Sequence, residues 1–140
     1  MRFMMMIKAT EETEAGELPS SELLAEMGRY NEELVKAGVL LAAEGLQSSA
    51  KGAKVQLDGK RRTVVDGPFA EAKELIAGFW LLEVGSLDEA VEWAKRCPCL
   101  EGHHDEIEIR RVFAPEDFGE AFTPELRDAE ERIRTQYPTS

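Results

Sequence analysis

The sequence predicts an α+β domain of the ferredoxin-like, split βαβ kind with an inserted β-hairpin. Three observations lead there. The chain has 140 residues, about one domain, and that length buries a core without disulfide or metal staples. Hydrophobic residues make up 43% and charged residues 32%, a globular balance that excludes wholesale disorder. The hydrophobic pattern then runs strand, helix, strand, hairpin, strand, helix, strand and tail helix, the order of a split βαβ unit.

Each element has its own signal. Arg2 to Ala9 is a short continuous apolar block, which suits a strand covered on both faces. Pro19 and Ser20 open a helix through Lys36, with Ser20 as N-cap, Glu22 near the positive end of the dipole and Gly38 as the stop. Leu23, Met27, Tyr30 and Leu34 form its buried stripe. Val39 to Leu46 is a second strand. Between Ser48 and Arg62, Lys51, Lys54, Lys60, Arg61 and Arg62 surround an Asp58-Gly59 turn, which predicts a projecting hairpin with arms Lys54 to Leu57 and Arg61 to Val65.

A short helical stretch, Ala70 to Glu74, precedes a central strand from Ile76 to Val84, in which Gly78 marks a close approach or a bulge. Ser86 and Glu89 form a capping box for a helix that runs to Cys97 and ends at Pro98. Glu106 to Phe113 alternates, with Ile107 and Ile109 inward and Glu108 and Arg110 outward. These elements make one domain over residues 1–113. Residues 114–140 form a tail whose helix, about Pro124 to Tyr137, packs only by Phe122, Leu126, Ile133 and Tyr137.

Two helices on one face leave the other face of the sheet bare and apolar, and the remaining chain looks too small to cover it. A second copy is therefore the expected cover, making a homodimer. With 28 Asp plus Glu against 17 Lys plus Arg the net charge is -11, which repels phosphate backbones and argues against a nucleic-acid partner. The basic hairpin lacks the interleaved aromatics of a single-strand grip. Phe3 to Ile7 is too short for a membrane span and lacks the context of a signal peptide, so no membrane partner and a cytoplasmic location are expected. Cys97 and Cys99, one residue apart, make a poor disulfide, and reduced thiols fit the same compartment.

The block Asp66-Gly67-Pro68-Phe69-Ala70-Glu71-Ala72-Lys73-Glu74, with Ala37-Gly38-Val39-Leu40 before it and Gly78-Phe79-Trp80 after it, resembles the DGPF subgroup of the YCII-related family over roughly Met1 to Val112. Ala72 stands where the block usually has Thr. The resemblance implies a dimeric α+β barrel, two ferredoxin-like sheets face to face, with a polar cleft in each subunit. Shorter members carry a His on the first helix and an Asp after the second strand. Here Met27 and Tyr30 occupy that helix region and Gln47-Ser48-Ser49 that loop, so no catalytic role carries over from the pair.

Read physically, Pro68 keeps Gly67 out of the helical region and suits the first position of a turn. Asp66 then either caps that turn, with Phe69 plugging the core and Glu71 on the surface, or it faces the cleft as the catalytic carboxylate, with Phe69 and Glu71 at the substrate. Glu44, mid-strand between Ala43 and Gly45, either lines the cleft with Tyr30, Asp66 and Arg29 or sits on a solvated face. Trp80 either stacks on an aromatic ligand or belongs to the core. Cys97, Cys99, His103 and His104 are metal-competent, but their spacing matches no established zinc site and no second half-site exists, so neither metal nor other cofactor is expected.

Two function classes remain. One is proton-transfer chemistry on a small molecule, since relatives with this barrel include a dehydrochlorinase acting on hydroxylated aromatics. The other is a noncatalytic regulatory or protein-binding module, which the resemblance implies through the association of such proteins with extracytoplasmic-function (ECF) sigma factors.

Overall fold

The computed structural model describes residues 1–138. Four strands form one antiparallel sheet: β1 (Arg2–Lys8), β2 (Leu40–Gly45), β5 (Ile76–Glu83) and β6 (Ile107–Arg111), in the order β2-β5-β1-β6. With α2 (Ser21–Lys36) linking β1 to β2 and α3 (Leu87–Lys95) linking β5 to β6, this is the ferredoxin-like arrangement. The inserted hairpin, β3 (Ala53–Asp58) and β4 (Arg61–Asp66), forms a separate two-stranded sheet. Gly78 is the close approach its sequence position suggests: a Cβ there would lie 2.9 Å from the Glu44 carbonyl oxygen of β2.

Alternation along the strands separates two faces. Phe3 and Met5 of β1 and Trp80, Leu82 and Val84 in and after β5 turn towards the helices and are buried with Tyr30, Leu34 and Ala90. Ile107 and Ile109 pack against that cluster from β6. α2 and α3 begin at the expected caps, with Ser20 Oγ accepting from the Leu23 N–H at 3.1 Å and Ser86 Oγ from the Glu89 N–H at 3.1 Å, but the expected Ser86–Glu89 capping box is only half formed, because the Glu89 carboxylate accepts from the Gly85 N–H at 2.8 Å and not from that of Ser86. The opposite face carries cross-strand rows Ala42, Leu81, Met4, Arg110 and Glu44, Phe79, Met6, Glu108. Met4 and Met6 are only half-buried, so β1 is covered fully on one face and not on both.

Several boundaries differ from the sequence reading. The stretch expected to be helical from Ala70 is a single 3-10 turn, Ala72–Glu74, and α3 stops at Lys95, two residues short of Cys97. Each hairpin arm is a residue or more longer than expected. A short helix, α1 (Glu11–Glu14), stands where none was expected, capped reciprocally by Thr10 and Thr13. The last helix, α4 (Pro124–Arg134), ends three residues before Tyr137. Its Leu126 and Ile133, and Tyr137 beyond it, are about half exposed, so they do not pack as expected, whereas Phe122 packs edge-on against Phe118. The tail also lies beside part of the open sheet face, bounding a groove over Met4 and Met6 that the sequence reading left uncovered. Among the described residues no helix is long and apolar enough to cross a membrane.

Candidate functional site

The Asp66–Phe69 turn leaves the end of β4 and is held from three sides. Gly67 donates its N–H to the Gly52 carbonyl at 3.0 Å, closing the base of the hairpin. The Gly67-Pro68 peptide is cis. A Cβ on Gly67 would fall 1.6 Å from the Ser49 carbonyl oxygen, so only glycine lets the turn lie against that backbone. One residue after the proline, the Phe69 N–H donates to Ser49 Oγ at 3.0 Å. The Phe69 ring is half-buried beneath Lys54, whose Nζ lies 4.3 Å from the ring centroid, and is not the core plug of the capping alternative.

Ser49 is fixed in turn by α1. Its N–H donates to Glu14 Oε1 at 3.0 Å, its hydroxyl donates to Glu14 Oε2, and the neighbouring Ser48 hydroxyl donates to the Glu14 carbonyl at 2.6 Å. The Ser49 hydroxyl and then its N–H hold the Glu14 carboxyl below its ordinary value of 4.5, outweighing a small opposing effect of desolvation. Glu14, Ser49 and the turn thus form a chain of donors and acceptors, carboxylate to hydroxyl to backbone N–H. Sequence reading missed both residues. Glu14 and Ser49 are 35 positions apart and neither lies on a periodic pattern, so no local signal pairs them.

Asp66 itself is the last residue of β4, paired with Ala53, and its side chain is exposed. Among the described residues its carboxylate accepts no hydrogen bond and forms no ion pair, so it does not cap the turn. The residue that precedes the 3-10 turn is Glu71, exposed and also without a side-chain cap.

The remaining sequence candidates lie elsewhere. Tyr30 is 3% exposed and donates its hydroxyl to the Trp93 carbonyl at 2.7 Å; Trp80 is 5% exposed and donates Nε1–H to Asn31 Oδ1 at 2.9 Å. Their rings meet edge to face at 5.8 Å, inside the core between sheet and helices. Burial pushes the Tyr30 hydroxyl well above its ordinary range. Glu44 points from the open sheet face, opposite Phe79. Asp66, Phe69 and Glu71 therefore share one turn, while Tyr30 and Trp80 belong to the core and Glu44 to another surface. Cys97 is half-buried, its thiol pushed up to about 12 by desolvation first and by Asp105 and Cys99 next. Among the described residues no three His, Cys, Asp or Glu side chains are grouped to hold a metal.

Comparison with known proteins places this architecture. The YCII-related domain model matches residues 1–114, which spans the whole four-stranded sheet, α2, α3 and the turn. The chain belongs to the YCII-related domain family. One relative, an uncharacterised protein of Rhizobium meliloti (strain 1021), is 33% identical over 73 residues, covering 52% of this chain and 59% of that protein. The match stops at residue 114, and Pro115–Ala121 and α4 lie beyond it.

Proposed function

We propose that this YCII-related protein binds a small polar or aromatic molecule at the Asp66–Phe69 turn, and that Asp66 holds or moves a proton in lyase- or isomerase-like chemistry. The observation that carries the reading is the contrast between backbone and side chain at one position. The backbone beside Asp66 is locked by Gly67 against Ser49 and by Ser49 against Glu14, yet the carboxylate has no partner of its own. A fixed backbone beneath an unengaged, accessible carboxylate leaves that group free to meet a ligand. Phe69, half-buried at the same turn, offers an apolar surface for an aromatic ring, and Glu71 a second carboxylate. Glu14 acts as a positioning residue, since both of its oxygens are spent on Ser49.

The homodimer belongs to the same proposal. The open face places Met4, Met6, Phe79 and Leu81 in adjacent positions, an apolar surface suited to a second sheet. The noncatalytic alternative, a protein-binding module of the kind associated with ECF sigma factors, draws support from the hairpin, where Val55, Leu57 and Val64 are each more than half exposed.

A thermal-shift screen of hydroxylated aromatics and small lactones, run on wild type and Asp66→Asn together, separates the two. Saturating ligand at about a hundred times its Kd stabilises a protein by roughly 2.7 kcal/mol, a shift of several degrees at this size. The enzyme reading expects at least one compound to shift wild type and not a folded Asp66→Asn, with light scattering reporting twice the 15.6 kDa chain mass. If no compound distinguishes the two proteins, the catalytic assignment of Asp66 fails and the protein-binding module replaces it.

A further inference from the structure

The charges on the open sheet face differ in sign from one edge to the other. Between the open face of β1 and β6 and the C-terminal tail runs a groove of about 940 Å³, floored by Met4 and Met6. Its outer wall is an aromatic row in which Phe113 stacks on Phe118 at 4.7 Å and Phe118 meets Phe122 edge-on at 5.4 Å. Arg2, Arg110, Arg111 and Arg134 line it, against Glu130 alone among the acids, and Glu130 is already paired with Arg134 at 3.0 Å. Arg110 and Arg111 approach carboxylates only at 3.9 and 3.8 Å, too long for a hydrogen bond. The β6 edge is thus cationic, in a protein whose net charge is -11.

The β2 edge carries the opposite sign. Glu44 is the one charged residue of β2 and projects from the open face. It is exposed and, among the described residues, has neither an ion pair nor a side-chain hydrogen bond. Leu41, at the register shift of the same strand, is 51% exposed. Between the two edges lie Phe79 and Leu81 of β5 and Met4 and Met6 of β1. From β2 to β6 the face therefore runs acid, apolar, base.

Two sheets stacked with aligned strands can share a two-fold axis across the strands or along them. An axis across the strands lays β2 on β2 and tail on tail, so that acid meets acid and arginine meets arginine. An axis along the strands lays β2 of one copy over β6 of the other. Phe79 and Leu81 then cover the partner's Met6 and the partner's Met4. Glu44 arrives between the partner's Arg110 and the partner's Glu108, a carboxylate that Lys8 of its own chain already holds at 2.7 Å. Attraction of unlike edges favours the second arrangement, and repulsion of like edges disfavours the first.

Resting on the homodimer reading above, we propose that the β2 edge of each copy seats in the tail groove of the other, Glu44 held by the partner's Arg110 and Leu41 against the partner's Phe118. The tail, which lies outside the family match, is then a clamp that fixes how the two sheets are oriented.

Full-length chains carry the test. Light scattering should report twice the 15.6 kDa chain mass for wild type, and a monomer would refute the homodimer and the clamp together. Given a dimer, sedimentation equilibrium should show Glu44→Arg and Arg110→Glu each dissociating roughly tenfold or more readily, because each sets two like-charged contacts across the axis. Both changes in one chain should restore wild-type association. An axis across the strands predicts no loss in either single variant, since each only exchanges one like-charged contact for another. The groove itself is tested by co-expressing Leu41→Cys and Phe118→Cys chains, both carrying Cys97→Ser and Cys99→Ser. Oxidation should link them covalently, whereas Leu41→Cys with Leu126→Cys, a residue outside the groove, should not link. A wild-type dimer that tolerates either charge reversal, a double variant that stays weak, or cross-linking that is absent or equal at the two tail positions would overturn the clamp and leave the homodimer standing.

Discussion

Replacing Gly67 by alanine tests the interlock around the Asp66 turn more directly than any change to a charged residue. The new methyl would sit 1.6 Å from the Ser49 carbonyl oxygen and 2.6 Å from its carbon, where ordinary contacts are 3.4 to 4 Å. The obstacle is backbone, so no rotamer change relieves it, and the turn must move away by about 2 Å. That motion breaks two hydrogen bonds, Gly67 N–H to Gly52 O and Phe69 N–H to Ser49 Oγ, each 3.0 Å long. At a net value of about 1 kcal/mol each, the loss is about 2 kcal/mol, or roughly 6 °C in Tm for a chain of this size. Gly28→Ala is the matched control: it lies within α2 with nothing within 4 Å of the added methyl, and should stabilise by about 0.5 to 1 kcal/mol through helix propensity and the unfolded state. Urea unfolding of both variants gives the free energies, and amide exchange locates the damage in β3, β4 and the Ser49 loop. A Gly67→Ala protein within about 0.5 kcal/mol of wild type would refute the claim that this glycine is dictated by the Ser49 contact.

Two further outcomes follow from the core and from the anchor. Tyr30→Phe removes the hydroxyl that ties α2 to the Trp93 carbonyl, so urea unfolding should show a loss of about 1 kcal/mol; a change in ligand response at the Asp66 turn without that loss would instead return Tyr30 to the binding surface. Because Glu14 has a carboxyl value held below 4.5 in the folded chain, its contribution to stability is present above that pH and lost as pH falls through the folded value; Ser49 amide exchange should accelerate there in wild type, and Glu14→Gln should flatten the dependence.

What the sequence made legible is what local patterning encodes. The Ser20 and Ser86 caps, the stripe through Tyr30 and Leu34, and the alternation of Ile107 and Ile109 are each written within a few residues, and each appears where expected. Gly78 was also readable, because a glycine inside an apolar strand signals a neighbour that comes close. The site was only half readable. The rigidity of Asp66–Phe69 follows from its glycine and proline, but its support comes from Glu14 and Ser49, and a contact across that separation leaves no periodic trace. Tyr30 and Trp80 were ambiguous for a related reason. Their polar atoms suited a ligand until Trp93 and Asn31 were seen to satisfy them from inside. In the tail only Phe122 of the expected packing residues finds an aromatic neighbour, Phe118, while Leu126, Ile133 and Tyr137 stay about half exposed.

The hairpin explains why the turn needs so much support. Every residue of β3 and β4 is exposed, and a lone two-stranded ribbon is at best marginally stable in water. Its order must therefore be supplied from its base, where Gly67 meets Gly52 and Lys54 covers Phe69. Asp66 is the junction, the last paired residue of a weakly held ribbon and the first of a tightly held turn. The backbone that carries the Asp66 carboxylate is therefore anchored on its C-terminal side, while the carboxylate itself is exposed and unpartnered. The proposed role of Asp66 thus rests on the glycine contact, and breaking that contact should abolish any ligand response even though Asp66 itself is untouched.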